Sequence, residues 1–342
     1  MIPSRYNKKN LVRAINSPEL VVSEAKRITY PAIHSPQRAY FSWQYNDTTD
    51  VMSKDWDNLI ILDACRYDFL ESHNDSDIEN RIFESSNSEE FCDTYLSGRS
   101  FHDTVYITAN PFGSQIAEGT FHKNVVTFDG NLDTNKKQAK VENITRGWDP
   151  NIVYQSAIES FEKYPNKRIM VHFMQPHAPY YGDVAETIRE RLRESGFRFW
   201  AWNDDLSKTD SINNKKIVAN LLSAAQKKLI SVEELKQVYS GNLEIALELS
   251  KRLADSIPGK TIITSDHGEM LGEDYFFLPS DMGGMRNNIG HGRGIYTREL
   301  RMVPWLELND RDRRIISKDE PVDSTDDSNT GVESQLKALG YK

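Results

Sequence analysis

Thr261-Ile262-Ile263-Thr264-Ser265-Asp266-His267-Gly268-Glu269 decides the fold. Its first four residues are all β-branched, which suits a pleated, buried strand. The strand runs directly into an adjacent Asp and His. In open α/β sheets, sites form just beyond the carboxyl ends of the strands. A second apolar run, Asn58-Leu59-Ile60-Ile61-Leu62, ends the same way in Asp63-Ala64-Cys65-Arg66-Tyr67-Asp68. Two strands far apart in sequence therefore deliver acidic and imidazole side chains to one sheet edge. Such a cluster suits a metal ion, and a metal-dependent hydrolase or transferase is the leading expectation.

Working outward, three more strands are expected. They are Thr104-Val105-Tyr106-Ile107-Thr108, Arg168-Ile169-Met170-Val171-His172-Phe173 and Met302-Val303-Pro304-Trp305-Leu306-Glu307-Leu308. Asp149-Pro150 opens a helix carrying Ile152, Val153, Ala157, Ile158 and Phe161, with proline at the first helical position. Ser231-Val232-Glu233-Glu234 is a capping box that starts a longer helix, stopped at Pro258-Gly259. Strands alternating with helices predict a three-layer α/β/α sandwich around a mainly parallel sheet. Residues 1–50 form an N-terminal helical segment and residues 51–308 the catalytic domain, with a polar, helix-rich insertion at 182–230. Residues 309–342 form a loose acidic tail closed by one short helix.

Composition narrows the function classes. The 342-residue chain is 38% hydrophobic and 10% aromatic, enough for a substantial core. Its net charge of -9, from 51 acids against 42 bases, argues against nucleic acid as a partner. Cys65 and Cys92 allow at most one disulfide, and Cys65 beside Asp63 reads as an ordinary buried thiol. Neither a secretory leader nor an apolar run long enough to span a membrane is visible, so a cytoplasmic location is expected. Lys8, Lys9, Arg13, Lys26 and Arg27 make the first helices basic, which permits peripheral membrane contact.

Three motifs together resemble the alkaline phosphatase superfamily. They are Ile61-Leu62-Asp63-Ala64-Cys65-Arg66-Tyr67-Asp68, Gln175-Pro176-His177-Ala178-Pro179-Tyr180 and Thr264-Ser265-Asp266-His267-Gly268-Glu269-Met270-Leu271-Gly272-Glu273. His291-Gly292-Arg293-Gly294 adds to them. The branch resembled is the sulfatase-like hydrolases, which includes phosphoglycerol and phosphoethanolamine transferases. The resemblance implies an alkaline phosphatase-like sandwich and one divalent cation held by Asp63, Ser88, Asp266 and His267. Mixed oxygen and nitrogen donors favour zinc or manganese over calcium or magnesium. A hydroxyl nucleophile at the start of a helix is also implied. It lies in Glu84-Ser85-Ser86-Asn87-Ser88-Glu89-Glu90-Phe91, where Ser88 is favoured and Ser86 and Ser85 are the alternatives.

His177 and His291 resemble substrate-side or acid–base histidines, or ligands of a second, weaker metal. Gln175 stands where two-metal relatives carry Asp, which puts that second ion in doubt. Arg66 and Asn110 are candidate substrate contacts, and Arg99 and Arg293 are weaker ones. The expected reaction is hydrolysis or transfer of a phosphoester through a metal-activated serine. The substrate would be a small-molecule, glycan or lipid-headgroup ester. The rivals are a sulfate-ester hydrolase and a catalytically degenerate glycan- or headgroup-binding protein. Neither cysteine has the maturation context that sulfatases use, which counts against the first rival.

Overall fold

A computed structural model describes residues 35–74, 78–127, 148–199, 216–273, 287–308 and 312–322. The expected helices within residues 11–30 and 332–341 lie outside them. Seven strands form one sheet: β1 (Asn58–Leu62), β2 (Glu79–Ile82), β3 (Phe101–Thr108), β4 (Phe121–Val126), β5 (Arg168–Phe173), β6 (Thr261–Thr264) and β7 (Met302–Leu308). Their order is β2-β7-β6-β1-β5-β3-β4. The run from β6 to β4 is parallel, and β7 pairs antiparallel with both β6 and β2. The sheet is thus mainly parallel with one reversed strand.

β1, β5 and β6 sit centrally and are buried on both faces. Their near-continuous apolar sequences follow from that position. Ile60, Leu62, Ile169, Val171, Phe173 and Ile263 point to one face. The described helices include α1 (Ser35–Gln44), α2 (Tyr67–Ser72), α3 (Ser88–Phe91), α4 (Pro150–Lys163), α5 (Asp183–Glu194), α6 (Leu221–Gln226) and α7 (Val232–Ser256), and these side chains meet α4 and α7. Leu59, Ile61, Met170 and Ile262 point to the other, packing with Trp56, Phe83, Phe91 and Leu96. The core therefore lies as two apolar layers, one on either side of the sheet.

Local chemistry fixes the long helices. Asp149 caps α4 by accepting from the Asn151 backbone N–H, with Pro150 in the first turn. Ser231 and Glu234 close a reciprocal capping box on α7, each satisfying a backbone N–H of the other. Such a cap is worth about 1 kcal/mol. α7 buries Leu235, Val238, Tyr239, Leu243, Ala246 and Leu253, then stops at Ile257, because the residue before Pro258 is pushed out of helical conformation.

Within residues 182–230, the helices Asp183–Glu194 and Leu221–Gln226 bury their apolar faces in a separate cluster with Tyr180, Phe199 and Leu271 and with Leu235, Val238 and Tyr239 of the long helix Val232–Ser256. Residues 35–50 also pack against the body. The helix Ser35–Gln44 buries Phe41 against Ile82 and Met302, and Thr48 bridges to Ile82.

The segment read as a loose tail behaves differently over residues 312–322. It lies across the amino ends of the parallel strands. Arg313 pairs with Asp55 and Asp57, and Arg314 donates to the carbonyls of Pro165 and Asp57 and to Asn58 Oδ1. Ser317 N–H donates to Asn166 O, Lys167 pairs with Asp319, and Val322 N–H donates to His122 O. No described helix is long and apolar enough to cross a membrane.

Candidate active site and metal centre

The carboxyl ends of β1, β3, β5 and β6 converge with the start of a short helix, Ser88–Phe91. Asp63 leaves β1, Asp266 and His267 leave β6, and Asn110 lies just past β3. Backbone turns aim them. Ala64 takes a left-handed φ of 58° and points its N–H at Asp266 Oδ1, 3.0 Å away. A non-glycine residue in that region marks a turn the surroundings enforce. The His267 N–H donates to the same oxygen at 2.9 Å. Gly268 lets the next turn pass under Glu299, because a Cβ there would collide with the Glu299 carbonyl.

The serine run resolves into three separate roles. Ser85 Oγ donates to the Asp266 carbonyl at 2.6 Å. Ser86 Oγ is engaged by Glu90 and the Gly292 carbonyl, each at 2.8 Å. Ser88 Oγ alone faces the cluster. It donates to Asp266 Oδ2 at 2.7 Å, lies 3.2 Å from His267 Nε2 and 3.4 Å from Asp63 Oδ2, and accepts from Asn110 Nδ2 at 2.9 Å. Asn87, not a serine, caps this helix by accepting from the Glu90 N–H, so Ser88 occupies its first turn.

Asp63, Asp266 and His267 are buried and offer ligand atoms within 4.8 Å of one another. Asp63 Oδ1 has no hydrogen-bond partner, an arrangement a buried carboxylate adopts at a cost unless a cation meets it. Burial and the charge of Asp266 push the Asp63 carboxyl well above its ordinary range. Burial also raises Asp266, but the neighbouring His267 and His172 hold it below the ordinary range. Burial holds His267 down to about 4, so its ring is neutral at pH 7. Its Nδ1 faces the Gly268 carbonyl at 2.7 Å, which places the proton there and turns the Nε2 lone pair toward the two carboxylates. An unpaired carboxylate oxygen and an aimed lone pair fit a divalent ion. The two-oxygen, one-nitrogen set suits zinc or manganese better than calcium.

A second buried cluster, His177, Glu269 and His291, also brings its ligand atoms within 4.8 Å. His291 Nδ1 is 2.9 Å from Glu269 Oε1, and His177 Nε2 is 3.9 Å from Glu269 Oε2, which has no hydrogen-bond partner. Burial holds both histidines down to about 4 and pushes Glu269 up to about 7. The rings of His267 and His291 are 4.4 Å apart between centroids, so the two clusters adjoin. The Gln175 amide donates to the Trp148 carbonyl at 2.9 Å.

Glu269 is absent from the sequence-derived candidates although it lies in the opening motif. It supplies the carboxylate that Gln175 does not. His172 is also absent from them; the one available signal was an imidazole in an otherwise apolar strand. Arg66 does not contact the cluster's side chains. Asp68, Glu273 and the Glu269 carbonyl engage its guanidinium. Arg99 pairs with Asp50, and Arg293 with Glu89 and Asp93. Both cysteines are free and buried.

No family model matches the sequence, and no curated protein matches it. Solved structures do. The C-terminal periplasmic domain of phosphoethanolamine transferase EptC from Campylobacter jejuni aligns at TM-score 0.34 and 14% identity, over 74% of this chain and 78% of that one. The integral membrane lipooligosaccharide phosphoethanolamine transferase A (EptA) from Neisseria meningitidis aligns at 0.35 and 12%, over 87% and 59%. The C-terminal periplasmic domain of EcEptC from Escherichia coli, in complex with Zn, aligns at 0.36 and 14%, over 85% and 84%. The first two are named as phosphoethanolamine transferases.

Proposed function

We propose that this protein is a metal-dependent phosphoester hydrolase or transferase of the alkaline phosphatase type, with Ser88 as nucleophile. One observation carries the reading. Among three neighbouring serines, only Ser88 Oγ stands among Asp63, Asp266, His267 and Asn110, within 3.4 Å of each. Asp63, Asp266, His267 and Ser88 would hold one zinc or manganese ion. Such an ion lowers the pKa of a bound hydroxyl and neutralises charge on the transferring phosphoryl group.

The remaining steps belong to the chain's own side chains. Ser88 Oγ passes its proton toward Asp266 Oδ2, to which it already donates, and attacks phosphorus. Asn110 holds the attacking oxygen and Asp63 in register through its amide N–H groups. A phosphoseryl intermediate forms as the leaving oxygen departs. His177 and His291 border this space; the negative charge of a bound phosphoester raises their pKa from the low value burial imposes, and one of them, so protonated, donates the proton that the leaving oxygen takes. Water or an acceptor alcohol then resolves the intermediate. The His177–Glu269–His291 set would alternatively take a second ion. A small-molecule, glycan or lipid-headgroup ester fits this chemistry, and no observation favours sulfate over phosphate.

Metal analysis of the purified protein tests the reading, beside hydrolysis of p-nitrophenyl phosphate, bis-p-nitrophenyl phosphate and p-nitrophenyl sulfate. Bound transition metal and phosphoester cleavage, both lost in Asp266→Ala, are expected. A protein without bound metal that turns over none of the three esters would move the binding-protein reading to the front.

A further inference from the structure

His172 lies in β5 between Thr108 of β3 and Ile61 of β1, on the face that carries Met170 and Tyr106. Its neighbours there are aromatic: the Phe91 ring is 6.2 Å away between centroids and the Tyr106 ring 6.3 Å. The imidazole is fully buried. An imidazole in such a layer needs partners for both nitrogens. Nδ1 has one, the Tyr106 hydroxyl at 2.9 Å. Nε2 makes no hydrogen bond, yet it stands 3.6 Å from Asp266 Oδ2 and 3.9 Å from Asp63 Oδ2.

The hydroxyl is itself given room. A Cβ at Gly113 would collide with it and stand 2.7 Å from Thr108 Oγ1. A phenol that donates to Nδ1 leaves the ring proton on Nε2, the atom that faces both carboxylates. At 3.6 Å the donor is beyond hydrogen-bond length, within reach of a small side-chain adjustment.

We propose that His172, oriented by Tyr106, is a positioning residue: it presents its Nε2–H to the Asp63–Asp266 pair from behind and sets the attitude in which they grip a cation. Carboxylate ligands hold their geometry through such outer partners. The inference rests on the proposed metal site and deepens it.

Competition with a chromophoric chelator, titrating zinc into metal-stripped protein, reads the effect without turnover. His172→Ala should lose roughly 10- to 100-fold in zinc affinity. Tyr106→Phe removes only the hydroxyl and should lose a smaller factor in the same direction. His172→Gln, whose amide N–H reaches the Nε2 position, should recover part of the loss. Parent-like zinc affinity in Tyr106→Phe, or in a folded His172→Ala, would overturn the proposal. A parent protein that binds no zinc would instead overturn the metal reading itself, so the two failures are distinguishable.

Discussion

The two ends of the parallel strands treat charge in opposite ways. At the carboxyl ends, Asp63, Asp266 and Glu269 crowd together, buried, and two of their oxygens lack a partner. Among the described residues no Lys or Arg hydrogen-bonds to their carboxylates. At the amino ends, the buried charges of Asp57 and Lys167 are answered. Asp57 receives Arg313 Nε at 2.6 Å and the Lys260 N–H at 2.9 Å. Buried Lys167 donates to Asp319, to Ser317 O and to His102 O. One edge is built to be completed by something else, and the other is already complete. Function and stability are thus separated along the strand axis.

The largest effect should come from the incomplete edge. Ser88→Ala should lower kcat by roughly three orders of magnitude or more while the protein still folds and binds metal, as loss of a covalent nucleophile does. Steady-state kinetics beside metal analysis would check it. If Ser86→Ala proved as damaging as Ser88→Ala at unchanged stability, the division of roles among the serines would break.

His291→Ala should reduce turnover by about 100-fold on an alkyl phosphate and much less on p-nitrophenyl phosphate, because a good leaving group needs little protonation. Equal losses on both esters would remove His291 from the acid role.

The completed edge should show its effects in stability alone. Arg314→Ala removes the donor to the Pro165 carbonyl and to Asn58 Oδ1, and leaves the Asp57 carbonyl with the Ile169 N–H alone. We expect about 3 kcal/mol of destabilisation by denaturant titration, with turnover per folded molecule unchanged.

The sharpest form of the contrast is a pair of isosteric changes. In the presence of chelator, Asp63→Asn should raise the melting temperature, because it removes a buried like charge. Asp57→Asn should lower it, by the equivalent of about 2 kcal/mol, because it weakens charge-assisted bonds. Burial pushes Asp57 up, but Arg313 and the Lys260 N–H outweigh it and leave the carboxyl below its ordinary range. A folded pKa below the unfolded one gives stability that is full above about pH 4 and is lost as pH falls through the folded value. Acid should therefore destabilise the parent more steeply than Asp57→Asn.

How much of this was legible in the sequence follows the same axis. β1, β5 and β6 are buried on both faces, so their apolar runs announce them. β2 and β4 lie at the sheet's edges and read Glu79-Asn80-Arg81-Ile82 and Phe121-His122-Lys123-Asn124-Val125-Val126, with polar residues that hide a strand. Asp63, Asp266 and His267 follow strand ends directly and were readable. Which serine faces them was not, because Ser85, Ser86 and Ser88 differ only in where a non-repetitive turn points each hydroxyl. Glu269 depends on the close approach to the Glu299 backbone that Gly268 permits. The strap at 312–322 is composed like a solvated tail, and only its long-range partners, Asp57 and Lys167 among them, make it part of the body.

The central claim is that Ser88 carries the phosphoryl group. Peptide mass spectrometry of acid-quenched protein, taken during turnover of an aryl phosphate by the His291→Ala variant, tests it most directly. The account predicts a phosphorylated peptide with the modification on Ser88. Unmodified Ser88 under continuing turnover, or a phosphoryl group on Ser85 or Ser86, would contradict it.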